Sequence, residues 1–149
     1  MLGPVAVADV MTVRVVTVSR DETVQVAIAR MLEENIGSVA VCDGPRLVGI
    51  FTERDVLRAA GEGNAFLELT VDTVMTPRPL TIAPEDDLID AARLMGERRI
   101  RHLPVTQGDF LIGMVGIRDV LGRLVEQVAQ QDSAARETAR SLLQRTPRA

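Results

Sequence analysis

Tryptophan, tyrosine and lysine are absent from the 149 residues, and there is one cysteine, Cys42, and one histidine, His102. Each shortage closes off a class of chemistry. A lone cysteine excludes an internal disulfide and a cysteine-cluster metal site. Set in the apolar run Ser38-Val39-Ala40-Val41-Cys42, it reads as a small buried hydrophobe, with a reactive thiol as the lesser reading. One histidine and one cysteine do not make a zinc ligand set, and there is no P-loop, G-x-S-x-G or H-E-x-x-H run. No nucleophile stands beside a base and no carboxylate pair is singled out by spacing, so neither catalysis nor a required cofactor is expected. A net charge of -4 with almost no aromatic residues argues against a nucleic-acid interface, which needs a basic stripe and stacking platforms. No apolar stretch approaches the ~18 residues that span a bilayer, and a basic signal region is missing, so no membrane partner and a cytoplasmic location are expected. With lysine missing, all 17 cationic side chains are arginine, and a phosphate would be held by guanidinium groups and backbone amides.

What the chain does have is a hydrophobic content of 46%, enough to bury a core, in a length that suits one domain or two half-size units sharing one core. It also repeats itself. Val10-Met11-Thr12 recurs as Val74-Met75-Thr76, a shift of 64 residues, and with no gap that shift lays Gly49-Ile50-Phe51-Thr52-Glu53-Arg54-Asp55-Val56-Leu57 on Gly113-Met114-Val115-Gly116-Ile117-Arg118-Asp119-Val120-Leu121. The period is long for a solenoid and suits a tandem pair of small βαβ-type units, whose clefts lie where the copies meet.

Each copy reads as strand, helix, strand, strand, helix. In the first, the β-branched Arg14-Val15-Val16-Thr17-Val18 predicts a strand and Ser19 to Glu22 fits a capping box. Val24, Ala27, Ile28, Met31 and Leu32 mark one face of a helix. The apolar Ile36 to Cys42 predicts a strand buried on both faces; a turn at Asp43-Gly44-Pro45-Arg46, a strand from Leu47 to Phe51 and a helix from Arg54 to Ala60 follow. In the second copy Thr81-Ile82 ends a strand, and Leu88, Ala91, Ala92 and Met95 line a helix. Strands run from Ile100 to Val105 and from Phe110 to Val115 around Gln107-Gly108-Asp109, and a last helix begins near Arg118. Phe66, Leu67 and Leu69 anchor the connection. Beyond the repeat, Asp132-Ser133 caps a further helix carrying Leu142 and Leu143, suited to packing or to a dimer contact. The divisions are unit 1 over 8–60, a connection over 61–70, unit 2 over 71–124 and a helical tail over 125–149.

Thr52-Glu53-Arg54-Asp55 supports two readings. One is a capping box, with Thr52 at the N-cap and an acid three residues on. The other uses the same geometry for a ligand: helix amides and a hydroxyl for phosphate, and the Asp55 carboxylate for a ribose diol. The second copy keeps the acid as Asp119 while the cap residue becomes Gly116, which a ligand role explains better than a cap does.

The segment Gly49 to Asp55, the two Val-Met-Thr triplets and Arg101-His102-Leu103-Pro104-Val105 together resemble the cystathionine β-synthase (CBS) domain family, over roughly residues 8 to 124. The resemblance implies an α/β fold: two pseudo-symmetric βαββα CBS units packed as one Bateman module, plus the helical tail. It implies adenine nucleotides (AMP, ADP, ATP) or related adenosyl compounds as regulatory ligands, a homodimer and an unidentified regulated partner. It also implies a main cleft of Ile50, Thr52, Arg54 and Asp55 from the first copy with Leu80, Ile100, Arg101, His102 and Pro104 from the second. In that cleft Asp55 holds the ribose and Thr52 the α-phosphate, and Arg101 and His102 neutralise phosphate. Apolar side chains surround the base. A weaker second cleft takes Val16, Ile36, Ser38, Met114, Gly116, Arg118 and Asp119; Gly116 offers it no hydroxyl, and the basic pair is missing. His102 is either a phosphate contact or a solvent-facing strand residue. A sensor of bound ligand is the first expectation, an interaction scaffold with vestigial clefts the alternative, and an accessory piece of an enzyme a third.

Overall fold

The computed structural model describes residues 4–145. Repeat 1 forms β1 (Thr17–Ser19), α1 (Val24–Glu34), β2 (Ser38–Asp43), β3 (Arg46–Thr52) and α2 (Glu53–Ala60). A connection with a 3-10 turn (Phe66–Glu68) leads to α3 (Val71–Val74) and β4 (Thr76–Pro77). Repeat 2 forms α4 (Leu88–Arg98), β5 (His102–Gln107), β6 (Phe110–Gly116) and α5 (Ile117–Arg145). The strands make one sheet in the order β1-β2-β3-β6-β5, with β4 on β3. β1 and β2 run parallel with α1 as crossover, and β2–β3 and β5–β6 are hairpins whose turns pass through Gly44 (φ 61) and Gly108 (φ 60). The hairpins meet only where Arg46 pairs with Phe110.

Two core clusters form, rather than one shared core. Repeat 1 buries Val18, Val24, Ala27, Met31, Val39, Val41 and Phe51; repeat 2 buries their counterparts at the same 64-residue shift, Ile82, Leu88, Ala91, Met95, Leu103, Val105 and Val115. Each cluster also takes a valine from the segment leading into the other repeat: Val71 joins the first and Val7 the second. The backbone repeats the exchange bond for bond. Val71 N–H donates to Glu22 O (2.8 Å) and Val7 N–H to Asp86 O (2.8 Å); Val24 N–H reaches Leu69 O (2.9 Å) and Leu88 N–H reaches Val5 O (2.8 Å). The Val-Met-Thr triplets belong to these exchanged lead-ins. Thr76 pairs with Ile50 and Thr12 with Met114, and each methionine lies against a strand glycine: a Cβ on Gly49 would collide with Met75 Sδ, and one on Gly113 with Met11 Sδ. The triplet and the glycine are two halves of one contact.

Several expectations change. The first ladder begins at Thr17 rather than Arg14, because β2 offers partners only to Thr17, Val18 and Ser19. Thr81-Ile82 makes a single bridge, Ile82 to Val105, and no strand. Ser19 and Glu22 do bond (Ser19 N–H to Glu22 Oε1, 3.0 Å), but the N-cap of α1 is Thr23, which accepts from Val26 N–H. Leu32 faces solvent, 77% exposed. Ile36 and Ile100 close helices instead of opening strands: their N–H groups return to Met31 O (2.9 Å) and Met95 O (3.1 Å), past left-handed Asn35 and Arg99, in Schellman fashion. Asp132-Ser133 caps nothing. The helix runs through them unbroken, and from Val128 to Gln144 it is exposed. The final residues of the expected tail, 146–149, lie outside the described residues.

Candidate ligand site between the repeats

Asp55 is the one buried carboxylate among the described residues, 1% exposed at the start of α2. Both readings of its motif meet here. The capping box is complete: Asp55 N–H donates to Thr52 Oγ1 (3.3 Å), and Thr52 N–H donates to Asp55 Oδ2 (2.9 Å). Yet the carboxylate takes more than a cap requires. The hydroxyl of Thr52 donates to Oδ2 (3.2 Å), and that of Thr76, from the other lead-in, donates to Oδ1 (3.2 Å) and Oδ2 (3.4 Å). Arg58 Nη1 lies 3.5 Å from Oδ1. Asp55 therefore holds two hydroxyl groups from the two sides of a seam between segments.

Of the expected main-cleft residues, Ile50, Thr52 and Asp55 gather around this seam, with Ile50 paired to Thr76. Pro104 is buried in β5 and bonds through its carbonyl to Ile82 N–H (3.1 Å), two residues past the exposed Leu80. Arg54 and Arg101 are exposed and make no salt bridge among the described residues, which leaves both guanidinium groups available. Ile100 packs beside the repeat 2 core as part of the helix closure. His102 is half-buried, not a solvent-facing residue. A Cβ on Gly37 of repeat 1 would stand 3.4 Å from its Cε1 and 2.8 Å from Glu53 Oε1, and one on Gly116 would stand 3.9 Å from its Cδ2. The only imidazole thus sits between the two repeats. Burial holds it below its ordinary value; Glu53 and Asp119 pull upward and Arg101 adds to the lowering. Burial likewise pushes the Cys42 thiol up.

The second cleft differs in kind. Thr12 and Met114 exchange backbone bonds (2.8 and 3.0 Å) as Thr76 and Ile50 pair in the first, yet Asp119 is exposed and makes no hydrogen bond among the described residues. Arg118 and Asp119 border a hollow of about 310 Å³ with Asp9, Val10 and Arg123. Ser38 is buried opposite Thr52 in the hairpin, so it belongs to the first motif's strand pair; Val16 and Ile36 pack on the repeat 1 core. A larger hollow, about 390 Å³ beside Val5, Leu88, Leu124 and Val128, contains none of the expected site residues. Thr76 was missed by sequence reasoning as a site residue: its triplet was visible, but its pairing with a strand 26 residues earlier was not.

Among the described residues no group of three or more His, Cys, Asp or Glu is placed to hold a metal ion, and no helix is long and apolar enough to cross a membrane. Two βαββα units that exchange lead-ins and present equivalent motifs at a shared seam define a paired-repeat α/β module. The CBS domain profile matches residues 7–62 and 71–126, and the chain belongs to the CBS-domain family. It is 34% identical over 116 residues to the CBS domain-containing protein YhcV of Bacillus subtilis, covering 77% of this chain and 82% of that one. It is 39% identical over 120 residues (78% of this chain) to an uncharacterized 33.4 kDa protein of Thermofilum pendens, of whose length it spans only 38%. The solved structure of CBSX2 in complex with AMP superposes with a TM-score of 0.74 at 30% identity, covering 83% of this chain and 98% of that one.

Proposed function

We propose that the chain is a non-catalytic regulatory module that binds an adenine nucleotide or related adenosyl ligand in the cleft at Asp55. The observation that carries this reading is the buried Asp55 carboxylate, which already accepts hydroxyl groups from Thr52 and Thr76, the donors a ribose diol offers. The AMP complex of CBSX2 supports the ligand class. In this reading Thr52 and the first-turn amides of α2 receive the α-phosphate, and Arg54, Arg101 and His102 balance further charge. Ile50, Leu80, Ile100 and Pro104 enclose the base. The second cleft, with Asp119 and Arg118 but no hydroxyl at Gly116, binds more weakly. A difference in affinity between two conformations carries the signal to a partner, in the cytoplasm, from a dimer of the 16.2 kDa chain.

Calorimetric titration with AMP, ADP and ATP tests the reading. One saturating site per chain is expected, weakened ten- to a hundredfold in Asp55→Ala, about what the lost bonds to a charged acceptor are worth. Circular dichroism of the variant separates a lost ligand contact from a lost fold. No heat from any of the three with wild-type protein rejects the reading. The alternative, an interaction scaffold with a vestigial cleft, is favoured by one observation: the bonds of Asp55 are all satisfied within the chain.

A further inference from the structure

We propose that Thr76 is a gate on the main cleft: its hydroxyl occupies the place of a ligand diol on Asp55, and binding releases β4. The proposal rests on the adenine-nucleotide reading and deepens it. Of the groups on the Asp55 carboxylate, Thr52 belongs to the helix cap and Arg58 reaches it from one turn along the same helix. Thr76 alone arrives from a distant segment, 21 residues on, and it stands at an exposed position. A vicinal diol donates one O–H to each carboxylate oxygen. The bonds it must displace are those of Thr76 to Oδ1 (3.2 Å) and Oδ2 (3.4 Å), since the Thr52 amide bond at 2.9 Å is fixed by the first turn of α2.

The element that would yield is short. β4 is two residues long, and Pro77 has no N–H to give its partner Gly49. Arg78 directly after it sits at φ 45, where a non-glycine residue is strained. The repeat supplies an independent comparison. Thr12 keeps the same backbone pairing in the second cleft, but Asp119 there makes no hydrogen bond among the described residues. The frame therefore does not need the side-chain contact; it is particular to the cleft that has both Thr52 and Thr76.

Thr76→Val removes the hydroxyl and keeps the β-branched shape; Thr76→Ser keeps the hydroxyl. By calorimetry, Thr76→Val is expected to bind AMP about tenfold more tightly than wild type, having no internal competitor for a charged acceptor, and Thr76→Ser to match wild type. By hydrogen exchange, AMP should loosen the 74–80 segment in wild type, while Thr76→Val is loose there without ligand and unchanged by it. Equal or weaker AMP binding by Thr76→Val overturns the gate while leaving the nucleotide site standing. Failure of all three proteins to bind AMP, ADP or ATP overturns the nucleotide reading, and the gate falls with it.

Discussion

Replacing Gly49 by alanine tests how the lead-in is seated. Gly49 is buried in β3 opposite Val41 and Pro77, and a Cβ there would collide with Met75 Sδ while standing 3.0 Å from both Cγ and Cε. Comfortable carbon contacts begin near ~3.5 Å, so Met75 must shift against the repeat 1 core on which it packs. Overpacking of this kind costs about 1–3 kcal/mol, and the stiffer unfolded chain returns about 0.4–1 kcal/mol, for a net loss of roughly 1–2 kcal/mol. At a urea slope of about 1–3 kcal/mol per molar, the midpoint should fall by roughly 0.5–1 M. Circular dichroism is the probe, because there is no tryptophan or tyrosine to report by fluorescence. Gly113→Ala should cost more, because its Cβ would also meet the backbone oxygen of Thr12 at 3.2 Å, which cannot swing aside as a thioether can. The decisive comparison is the double variant Gly49→Ala/Met75→Ala. Removing the methionine removes the clash, so the double loss should be smaller than the sum of the single losses by about 1 kcal/mol. Strict additivity, or a neutral Gly49→Ala, would refute the notch.

Because burial lowers His102, the unfolded chain takes up its proton first; stability is unaffected above the ordinary value of 6.5 and falls as pH drops from there toward the folded value. His102→Gln should flatten that part of a pH series of urea midpoints, and an unchanged slope would deny the histidine its place between the repeats. Cys42, buried with its thiol pushed up, should react with a disulfide reagent only as fast as the chain opens, with full reactivity in denaturant. Ser133→Pro distinguishes one helix from two: at the first position of a new helix proline is benign, whereas inside continuous α5 it costs about 3 kcal/mol locally. A clear loss of helical ellipticity is expected, with the urea midpoint of the paired repeats unmoved.

Most of the architecture was legible because the sequence contains its own comparison. The apolar positions of α1 and α4, the hairpin turns at Gly44 and Gly108 and the helix after each motif follow from periodicity and glycine placement, and the repeat confirmed each against its copy. What escaped reading depends on partners distant in sequence. β-branched Val15 and Val16 look like strand, but a ladder exists only where β2 supplies register. Ile36 and Ile100 look like strand starts, yet their amides are spent closing the preceding helices. Asp132-Ser133 resembles a cap because its side chains suit one, but with no competing turn the exposed helix runs through. At the site, Thr52 and Asp55 were legible as a motif; Thr76 was not, because a two-residue strand carries no periodicity.

The crossed lead-ins make this single chain the covalent form of a domain swap. A fragment ending in the connection would contain the repeat 1 body with residues 4–12, the lead-in whose observed seat is on repeat 2; a fragment starting there would have the reverse mismatch. Neither half contains the segment that completes its own core, but each contains a near-copy of it. Expressed alone, a half can complete itself only on a second molecule, giving concentration-dependent pairs in place of folded monomers. The connection over 61–70 removes that dependence by fixing a high effective concentration of each half for the other. Its length is a folding parameter as much as a spacer, and a cut within it should turn a unimolecular folding reaction into a bimolecular one.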